Sequence, residues 1–241
     1  MDGIIIVDKP QGWTSFDVVA KIRNLTKVKK VGHSGTLDPM ATGVLPVFLG
    51  KATKSISYFL NGDKGYEGEM VLGVRTETGD AEGKIQTSNV QLQNKSEIQI
   101  SKSQIEELFK KYTGDIEQVP PMYSAVKIKG QRLYELARKG IEVERKSRKI
   151  RIYALRITRY EKDRVGFYVE CSKGTYVRQL AVDIGDDLGC GAHLSALRRV
   201  YSHPFHISQA ITIDTLINLA KADKLEAVVL PHEEFIGIIT S

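Results

Sequence analysis

The sequence predicts an α+β fold built on a central, mostly antiparallel mixed sheet that is flanked by helices and loops. Strand-like and helix-like stretches follow one another without regular βαβ alternation, which argues against a purely parallel sheet. Two strand-like runs, residues 150–160 and 165–171, are separated by four polar residues and predict a hairpin. With 241 residues, 41% of them hydrophobic and 27% charged, the chain can bury the core of one large domain or of two.

The N-terminal residues predict a buried strand followed by a helix. Residues 3–7 are continuously apolar and are closed by turn-forming residues. Ser15 then offers a helix N-cap, and Val18, Val19 and Ile22 follow at helical spacing, so that they form the inner face of the helix.

Residues 32–47 predict a shaped loop, since neither a helix nor a regular strand can run through them unbroken. The stretch holds three glycines, two prolines, one histidine and a single carboxylate, Asp38. Asp38 precedes Pro39, which biases it towards extended or turn geometry. On this basis alone Asp38 is either a turn residue or a functional carboxylate. The apolar residues 44–49 contain Pro46, which favours an edge or irregular strand.

The rest of the chain predicts one further strand and four helices besides the hairpin. A capping box at Ser103 starts the second helix of the chain, and Thr175 is the predicted cap of a later one. The predicted elements are a strand at 66–74, the loop that ends it at 76–83, and helices at 103–112, 132–139, 177–188 and near 216–222.

The positive charge of the chain is concentrated in one segment. Residues 127–151 carry ten Lys or Arg and three Glu, a net +7, whereas the whole chain has +6, so that the remainder has −1. Taken alone, such a run is either a solvated, charge-rich hairpin or helix, or a surface for a polyanion.

Several kinds of chemistry lack their signatures. The sequence contains no GxxxxGK[ST], GxGxxG, HExxH or GxSxG pattern, and its five histidines show no metal-ligand spacing. Cys171 and Cys190 form no CxxC pair and are predicted to be reduced core residues. We therefore expect no metal and no nucleotide cofactor. No apolar run approaches the ~20 residues of a membrane span, and the N-terminus lacks a signal-peptide pattern, which predicts a cytoplasmic protein.

Five motifs in the chain belong together. They are KPxGWTS at 9–15, GHSGTLDPMATGVLP at 32–46, Tyr66 with VLGxRTxT at 71–78, CSKGTYVR at 171–178, and GCGAHL at 189–194 followed by LRR at 197–199. Over residues 1–205 the chain thereby resembles the bacterial tRNA pseudouridine synthase B family, and the second motif is the most specific of the five.

The resemblance implies a pseudouridine synthase fold and the isomerisation of the T-loop uridine of tRNA, position 55 in tRNA numbering, to pseudouridine. It implies that Asp38 is the nucleophile, and leaves open whether Asp38 attacks the base or the anomeric carbon. Tyr66 would be the aromatic face on which the flipped-out base stacks. Arg178 would pair with the nucleophile and keep it ionised.

The same resemblance implies binding roles for further residues. Tyr176 and Leu197 would line the base pocket, although core packing explains either residue equally well. His33 would contact the T loop of the RNA. Lys127 and Lys129 would belong to a basic insertion, residues 120–151, that clamps the RNA.

We accordingly expect a catalytic domain at 1–208 and a C-terminal helical segment at 209–241, without the PUA-type RNA-binding module that usually follows in the family. The expected partner is the T arm of tRNA, and we expect a monomer. Lys9 and Pro10 would shape the turn behind the site.

Two other classes of function remain possible from the residues. A non-catalytic tRNA-binding module would need the basic segment but no Asp38. A carboxylate-based glycoside hydrolase would need a second carboxylate close to Asp38, which only Asp80 or Glu82 could supply through folding.

Overall fold

The computed structural model describes residues 1–86, 100–128 and 130–235, and the secondary structure below refers to these residues. The strands are β1 Gly3–Lys9, β2 Val31–His33, β3 Thr42–Leu49, β4 Lys64–Leu72, β5 Arg75–Thr76, β6 Ile85–Gln86, β7 Gly114–Gln118, β8 Lys127–Ile128, β9 Gln131–Arg132, β10 Arg148–Glu161, β11 Arg164–Cys171, β12 Ala192–Ser202, β13 Phe205–His206 and β14 Ile211–Thr212. The helices are α1 Ser15–Thr26, α2 Ile56–Leu60, α3 Lys102–Lys111, α4 Leu133–Ala137, α5 Val177–Asp187 and α6 Ile213–Lys221, with 3-10 turns at Gly50–Ser55, Ile207–Gln209 and Leu225–Val228.

The chain divides into two compact units. Unit 1 comprises Met1–Tyr66 and Leu197–Ser241, and unit 2 comprises Glu67–Ala196. The chain passes from one unit to the other within β4 and again within β12. Each unit is described below by itself.

Unit 1 is built on mixed strands in the order β14-β1-β3-β12. The β1–β3 pair is antiparallel, whereas β1–β14 and β3–β12 are parallel. Two short strands add to its edges, because β2 pairs antiparallel with β3 and β13 pairs antiparallel with β12. The sheet is therefore mixed and mostly antiparallel, as predicted.

Strand β1 is buried on both of its faces, which explains its continuous apolar sequence. Ile5 and Val7 belong to a core that also contains Val18 and Ile22 of α1 and Leu216 of α6. The alternate residues of β1 belong to a second core with α2 and β13; these are Ile4 and Ile6, packed with Val44, Phe48, Ala52, Phe59 and Phe205.

Unit 2 contains strands in the order β4-β11-β10-β7, of which the pairs β10–β11 and β10–β7 are antiparallel. The predicted hairpin is confirmed as β10 and β11. Helix α3 packs on this sheet through Phe109, whose ring lies 6.4 Å from that of Phe167 in an edge-to-face contact. Helix α5 buries the apolar stripe that its periodicity predicts, including Leu180, Ala181 and Ile184.

The predicted α+β class is confirmed, and the differences lie in the caps and in one strand. Thr14, not Ser15, caps α1 in a capping box with Asp17, and Ser101, not Ser103, caps α3 with Gln104. Neighbouring hydroxyl residues compete for such positions, so that the caps lie one or two residues before the predicted ones.

The third predicted cap is wrong for a different reason. Thr175 donates its Oγ1 hydrogen to the carbonyl of Ser172, at 2.9 Å, and Tyr176 occupies the N-cap position of α5, where its side chain does not cap the helix.

The edge position predicted for the strand containing Pro46 is also wrong. Strand β3 lies between β1 and β12. Pro46 is tolerated there because β3 pairs with β12 through residues 42 and 43 and with β2 through 47–49, and Pro46 falls in the interval between the two neighbours. Its carbonyl still accepts a hydrogen bond from the backbone N–H of Ser34, at 3.1 Å.

Candidate active site

The loop that carries Asp38 joins β2 to β3 in unit 1. Asp38 is half-buried, and its carbonyl accepts a hydrogen bond from the N–H of Ala41, at 3.0 Å, which closes a turn around Pro39. The neighbouring Leu37 is fixed twice by the Ser15 hydroxyl, which accepts from its N–H at 2.9 Å and donates to its carbonyl at 3.2 Å. The backbone on the N-terminal side of Asp38 is therefore held by α1.

A buried lysine holds the other side of Asp38. The Lys9 side chain is completely buried at the end of β1, and its ammonium donates to the carbonyls of Pro10, Trp13 and Pro39 at 3.0, 2.5 and 3.2 Å. The N–H of Gly12 also reaches the carbonyl of Pro39, at 2.8 Å. Lys9 thus shapes the turn behind the Asp38 loop, as the sequence predicts, and ties that turn to it.

His33 lies at the end of β2, where the Asp38 loop begins. Burial lowers the pKa of its imidazole, and the positive charge of Arg199 lowers it further. Its buried Nδ1 atom has no hydrogen-bond partner among the described residues, and the same holds for the hydroxyl of the adjacent Ser34. Neutral His33 therefore keeps an uncommitted ring nitrogen beside the loop.

The other two predicted residues of unit 1 lie on strands. Tyr66 is in β4 with 9% of its surface exposed, and Leu197 is in β12 and half-buried. Both are placed on rigid elements rather than on loops, which suits residues that shape a pocket.

In unit 2 the guanidinium of Arg178 is buried at the start of α5 and is held by a carboxylate and two carbonyls. Its Nε lies 3.4 Å from Oδ2 of Asp80, and its Nη atoms donate to the carbonyls of Thr78 and Tyr123, each at 3.0 Å. Arg178 and Asp80 are 6% and 2% exposed, so that the pair is shielded from water. Arg178 is therefore no surface residue of the first helical turn.

Sequence reasoning missed the role of Asp80, which it considered only as a second carboxylate for a hydrolase. Asp80 also accepts hydrogen bonds from the hydroxyl of Thr78 and, at 3.1 Å, from the N–H of Glu82. The Thr-Gly-Asp sequence at 78–80 is the one local signal, and it is typical of many turns that have no such role.

Tyr176 precedes Arg178 at the same end of α5. The buried amide of Gln118 accepts from its N–H at 2.8 Å and donates to its carbonyl at 3.1 Å. One side chain of β7 thus bonds both backbone groups of Tyr176 and so fixes the position of its backbone.

The basic segment is on the surface of unit 2. Lys127 lies on the small β8–β9 ribbon and is exposed, whereas Lys129 is outside the described residues. Arg145 is half-buried and donates to the carbonyl of Pro120 at 3.2 Å, which ties the two ends of the segment together. The other described cations of the segment are exposed; they are Arg132, Arg138, Lys139, Lys146, Arg148, Lys149 and Arg151.

Neither a metal centre nor a membrane span occurs in the described part of the chain. Among residues 1–86, 100–128 and 130–235, no group of three His, Cys, Asp or Glu side chains is placed to hold a metal ion. Within the same ranges, no helix is both long and apolar enough to cross a membrane. A cleft of about 570 Å³ opens beside β7 and β10, and its lining includes Lys149 and Arg151 of the basic insertion but none of the residues predicted for catalysis or for the base pocket.

Comparison with known proteins identifies the family of the chain. Residues 23–177 match the TruB family pseudouridylate synthase N-terminal domain, and residues 178–236 match the tRNA pseudouridylate synthase B C-terminal domain. The tRNA pseudouridine synthase B of Geobacillus thermodenitrificans is 48% identical over 240 residues, which cover 97% of this chain and 78% of that protein. The enzyme of the same name from Clostridium kluyveri is 50% identical over 216 residues, covering 90% and 72%.

A solved structure shares the fold. The chain aligns with a protein of a Cbf5-Nop10-Gar1 complex with a TM-score of 0.73 and 32% identity over 96% of its own length, and it spans 60% of that longer chain. The fold is thus that of the pseudouridine synthases, isomerases that convert uridine in RNA to pseudouridine. This chain belongs to the TruB family of pseudouridylate synthases.

Proposed function

We propose that the protein isomerises the T-loop uridine of tRNA, position 55, to pseudouridine, and that Asp38 is the nucleophile. The reaction breaks the bond between N1 of the base and the anomeric carbon and forms one from C5 to that carbon, while the C5 proton is released and N1 gains one. The family match over most of the chain supports the reaction class. The observation that carries the residue assignment is the loop in which Lys9 and Ser15 fix the backbone on both sides of Asp38.

The proposed roles follow from the chemistry of each side chain. Asp38 attacks either C6 of the base or the anomeric carbon and later leaves. Tyr66 stacks on the flipped-out base, and Tyr176 and Leu197 line the pocket around it. Arg178 supplies the positive charge that favours an ionised nucleophile.

RNA binding is assigned to other residues. His33 contacts the T loop, and the insertion at 120–151, with Lys127 and Lys129, holds the RNA backbone. We assign catalysis to a domain at 1–208, followed by a helical segment at 209–241. We further propose that the enzyme is a monomer and acts in the cytoplasm. It needs no cofactor, because the reaction rearranges bonds without net oxidation or hydrolysis.

The first prediction is that Asp38→Asn abolishes catalysis but not RNA binding. The wild type should release tritium from a T-arm transcript labelled at C5 of uridine, whereas Asp38→Asn should release none, since a neutral amide is no nucleophile. Asp214→Asn is the matched control, because Asp214 is an exposed carboxylate of α6. Release by Asp38→Asn at the wild-type rate would refute the assignment. A wild type that binds RNA without any release would favour the non-catalytic binding module.

The second prediction concerns the salt dependence of RNA binding. Replacing four lysines of the basic insertion by Gln should weaken binding and reduce the slope of log K against log [salt] by about 1 for each phosphate that is no longer neutralised. An equal change of charge on exposed lysines of α3 and of the C-terminal region should leave the slope nearly unchanged. An identical slope for both variants would contradict the clamp. The test set is Lys127, Lys129, Lys146 and Lys149, and the control set is Lys102, Lys110, Lys221 and Lys224.

A further inference from the structure

Besides Lys9, an arginine of unit 1 holds the Asp38 loop, at backbone groups other than those that Lys9 reaches. Arg199 lies on β12 and is 1% exposed. Its Nε donates to the carbonyl of Val44 at 2.7 Å, and its Nη2 donates to the carbonyl of Gly35 at 3.0 Å. One planar guanidinium therefore joins the two ends of the segment 35–44, within which Asp38 lies.

Both ends of the segment lie close to residue 199. Gly35 and Gly43 both have positive φ, at 82° and 100°. A Cβ on Gly43 would lie 2.2 Å from the carbonyl oxygen of Arg199, and one on Gly35 would lie 3.2 Å from its Nη1. The side chain of Arg199 thus approaches Gly35, whereas Gly43 faces the backbone of residue 199 across the β3–β12 pair.

Stability alone does not account for Arg199. Among the residues that the structure describes, no carboxylate forms an ion pair with it. The adjacent Arg198, by contrast, makes a two-point ion pair with Asp8, at 3.0 and 2.7 Å. A buried charge costs desolvation energy, and although its removal would leave the two carbonyls unsatisfied, neutral donors could bond them without that cost. A feature that costs stability and lies against a catalytic loop points to a role in the reaction.

We propose that Arg199 is a positioning residue for the proposed reaction: its guanidinium clamps the two ends of the segment 35–44 and so holds Asp38 in one place. The clamp acts through the backbone of the loop and not through contact with the RNA. Its charge has a second effect, because it disfavours the protonated form of His33 at the start of the same loop. The proposal rests on the proposed function for its effect on the rate, while its effects on the loop and on His33 exist in the free protein.

The experiment compares Arg199→Met, Arg199→Lys and the control Arg198→Met. Single-turnover rates at saturating enzyme separate chemistry from RNA binding. We expect Arg199→Met to lower that rate by about 100-fold, the cost of a misplaced catalytic group, with RNA affinity little changed. Arg199→Lys should lower the rate as well, because an ammonium lacks the fork that reaches both carbonyls. Arg198→Met should keep the wild-type rate, because it removes an ion pair with Asp8 and a bond to the hydroxyl of Thr42, at 3.3 Å, but no bond to the backbone of the segment 35–44.

Two NMR measurements on the free protein complete the test. The backbone amides of residues 35–43 should lose order in both Arg199 variants and keep it in Arg198→Met. The pKa of His33 should rise in Arg199→Met, where the charge is gone, and stay low in Arg199→Lys, where it remains. The His33 pKa separates loss of the charge from loss of the fork, while a lower single-turnover rate at unchanged RNA affinity and unchanged free energy of unfolding in Arg199→Lys separates a positioning role from a merely structural one.

The outcomes are distinct. A wild-type single-turnover rate in Arg199→Lys, or a loop of wild-type order in both variants, would overturn the proposal. If Arg199→Met does not fold, Arg199→Lys decides by the same two criteria. If the wild type itself releases no tritium, the proposed function fails, and the order of the loop amides still decides whether Arg199 is the clamp.

Discussion

The Asp38 loop in unit 1 and the Arg178–Asp80 cluster in unit 2 are held by different kinds of interaction. In the loop, the side chains of Lys9, Ser15 and Arg199 are directed at backbone groups, mostly carbonyls. In the cluster, the central interaction joins two opposite charges, and the carbonyls of Thr78 and Tyr123 complete the shell of the arginine.

The difference suggests a division of labour. Bonds to backbone groups fix where the backbone of a loop lies. A buried ion pair with added hydrogen bonds fixes both the position and the charge of a side chain. We therefore expect the position of the Asp38 loop to depend on hydrogen bonds to its backbone, and the position of Arg178 to depend on its ion pair with Asp80. Predictions that remove one kind of interaction at a time test this inference.

The largest effect on stability is expected from the ion pair. Asp80→Asn removes the carboxylate from a buried arginine and should lower the free energy of unfolding by about 3 kcal/mol. In the double variant Asp80→Asn/Arg178→Met the loss should be smaller than the sum of the two single losses, because no unpaired charge remains. Urea unfolding of the three variants measures this, and strictly additive losses would show that the charges do not stabilise one another.

A somewhat smaller effect is expected from the buried lysine of unit 1. Lys9→Met keeps the length of the side chain but leaves the carbonyls of Pro10, Trp13 and Pro39 without this donor, at a cost of about 2 kcal/mol. Lys51→Met, at an exposed position, is the control. Equal unfolding midpoints in urea for the two variants would mean that solvent replaces the lysine and that the loop is not anchored by it.

Much of the fold could be predicted because it depends on local patterns. Residues that are close in sequence determine the apolar run of β1, the apolar stripe of α5 and the β10–β11 hairpin. The loop around Asp38 was only partly recognisable, because Gly32 lies in β2 and Gly43 and Pro46 lie in β3, so that residues 34–41 alone are outside the strands. Such signals can be detected in the sequence because hydrophobic periodicity and turn-forming residues act over a few positions.

The missing parts depend on residues that are distant in sequence. Arg199 lies 155 residues after Val44, and Arg178 lies 100 residues after Thr78. Nothing in the sequence around an arginine distinguishes a buried one from a solvated one, because its burial is decided by carbonyls and carboxylates that folding brings to it. Pro46 also depends on distant residues. A proline is tolerated there because the pairing of β3 with β12 ends before it and the pairing with β2 begins after it.

The smallest effect is expected on the pH dependence of the free energy of unfolding. The pKa of His33 is lowered in the fold by burial and by Arg199, whereas the unfolded chain takes up the proton near its ordinary value of 6.5. The unfolded state therefore binds more protons below that pH, so that stability falls as the pH drops from about 6.5 towards the lower pKa of the folded state, and is unaffected above it. Unfolding free energies measured from pH 8 to 5 should show this decline in the wild type and a weaker one in His33→Gln. The exposed His206 offers a control, because His206→Gln should follow the wild-type curve. If His33→Gln also follows that curve, protonation of His33 does not affect the free energy of unfolding. The Asp38 loop would then be stabilised only by the bonds that hold its backbone.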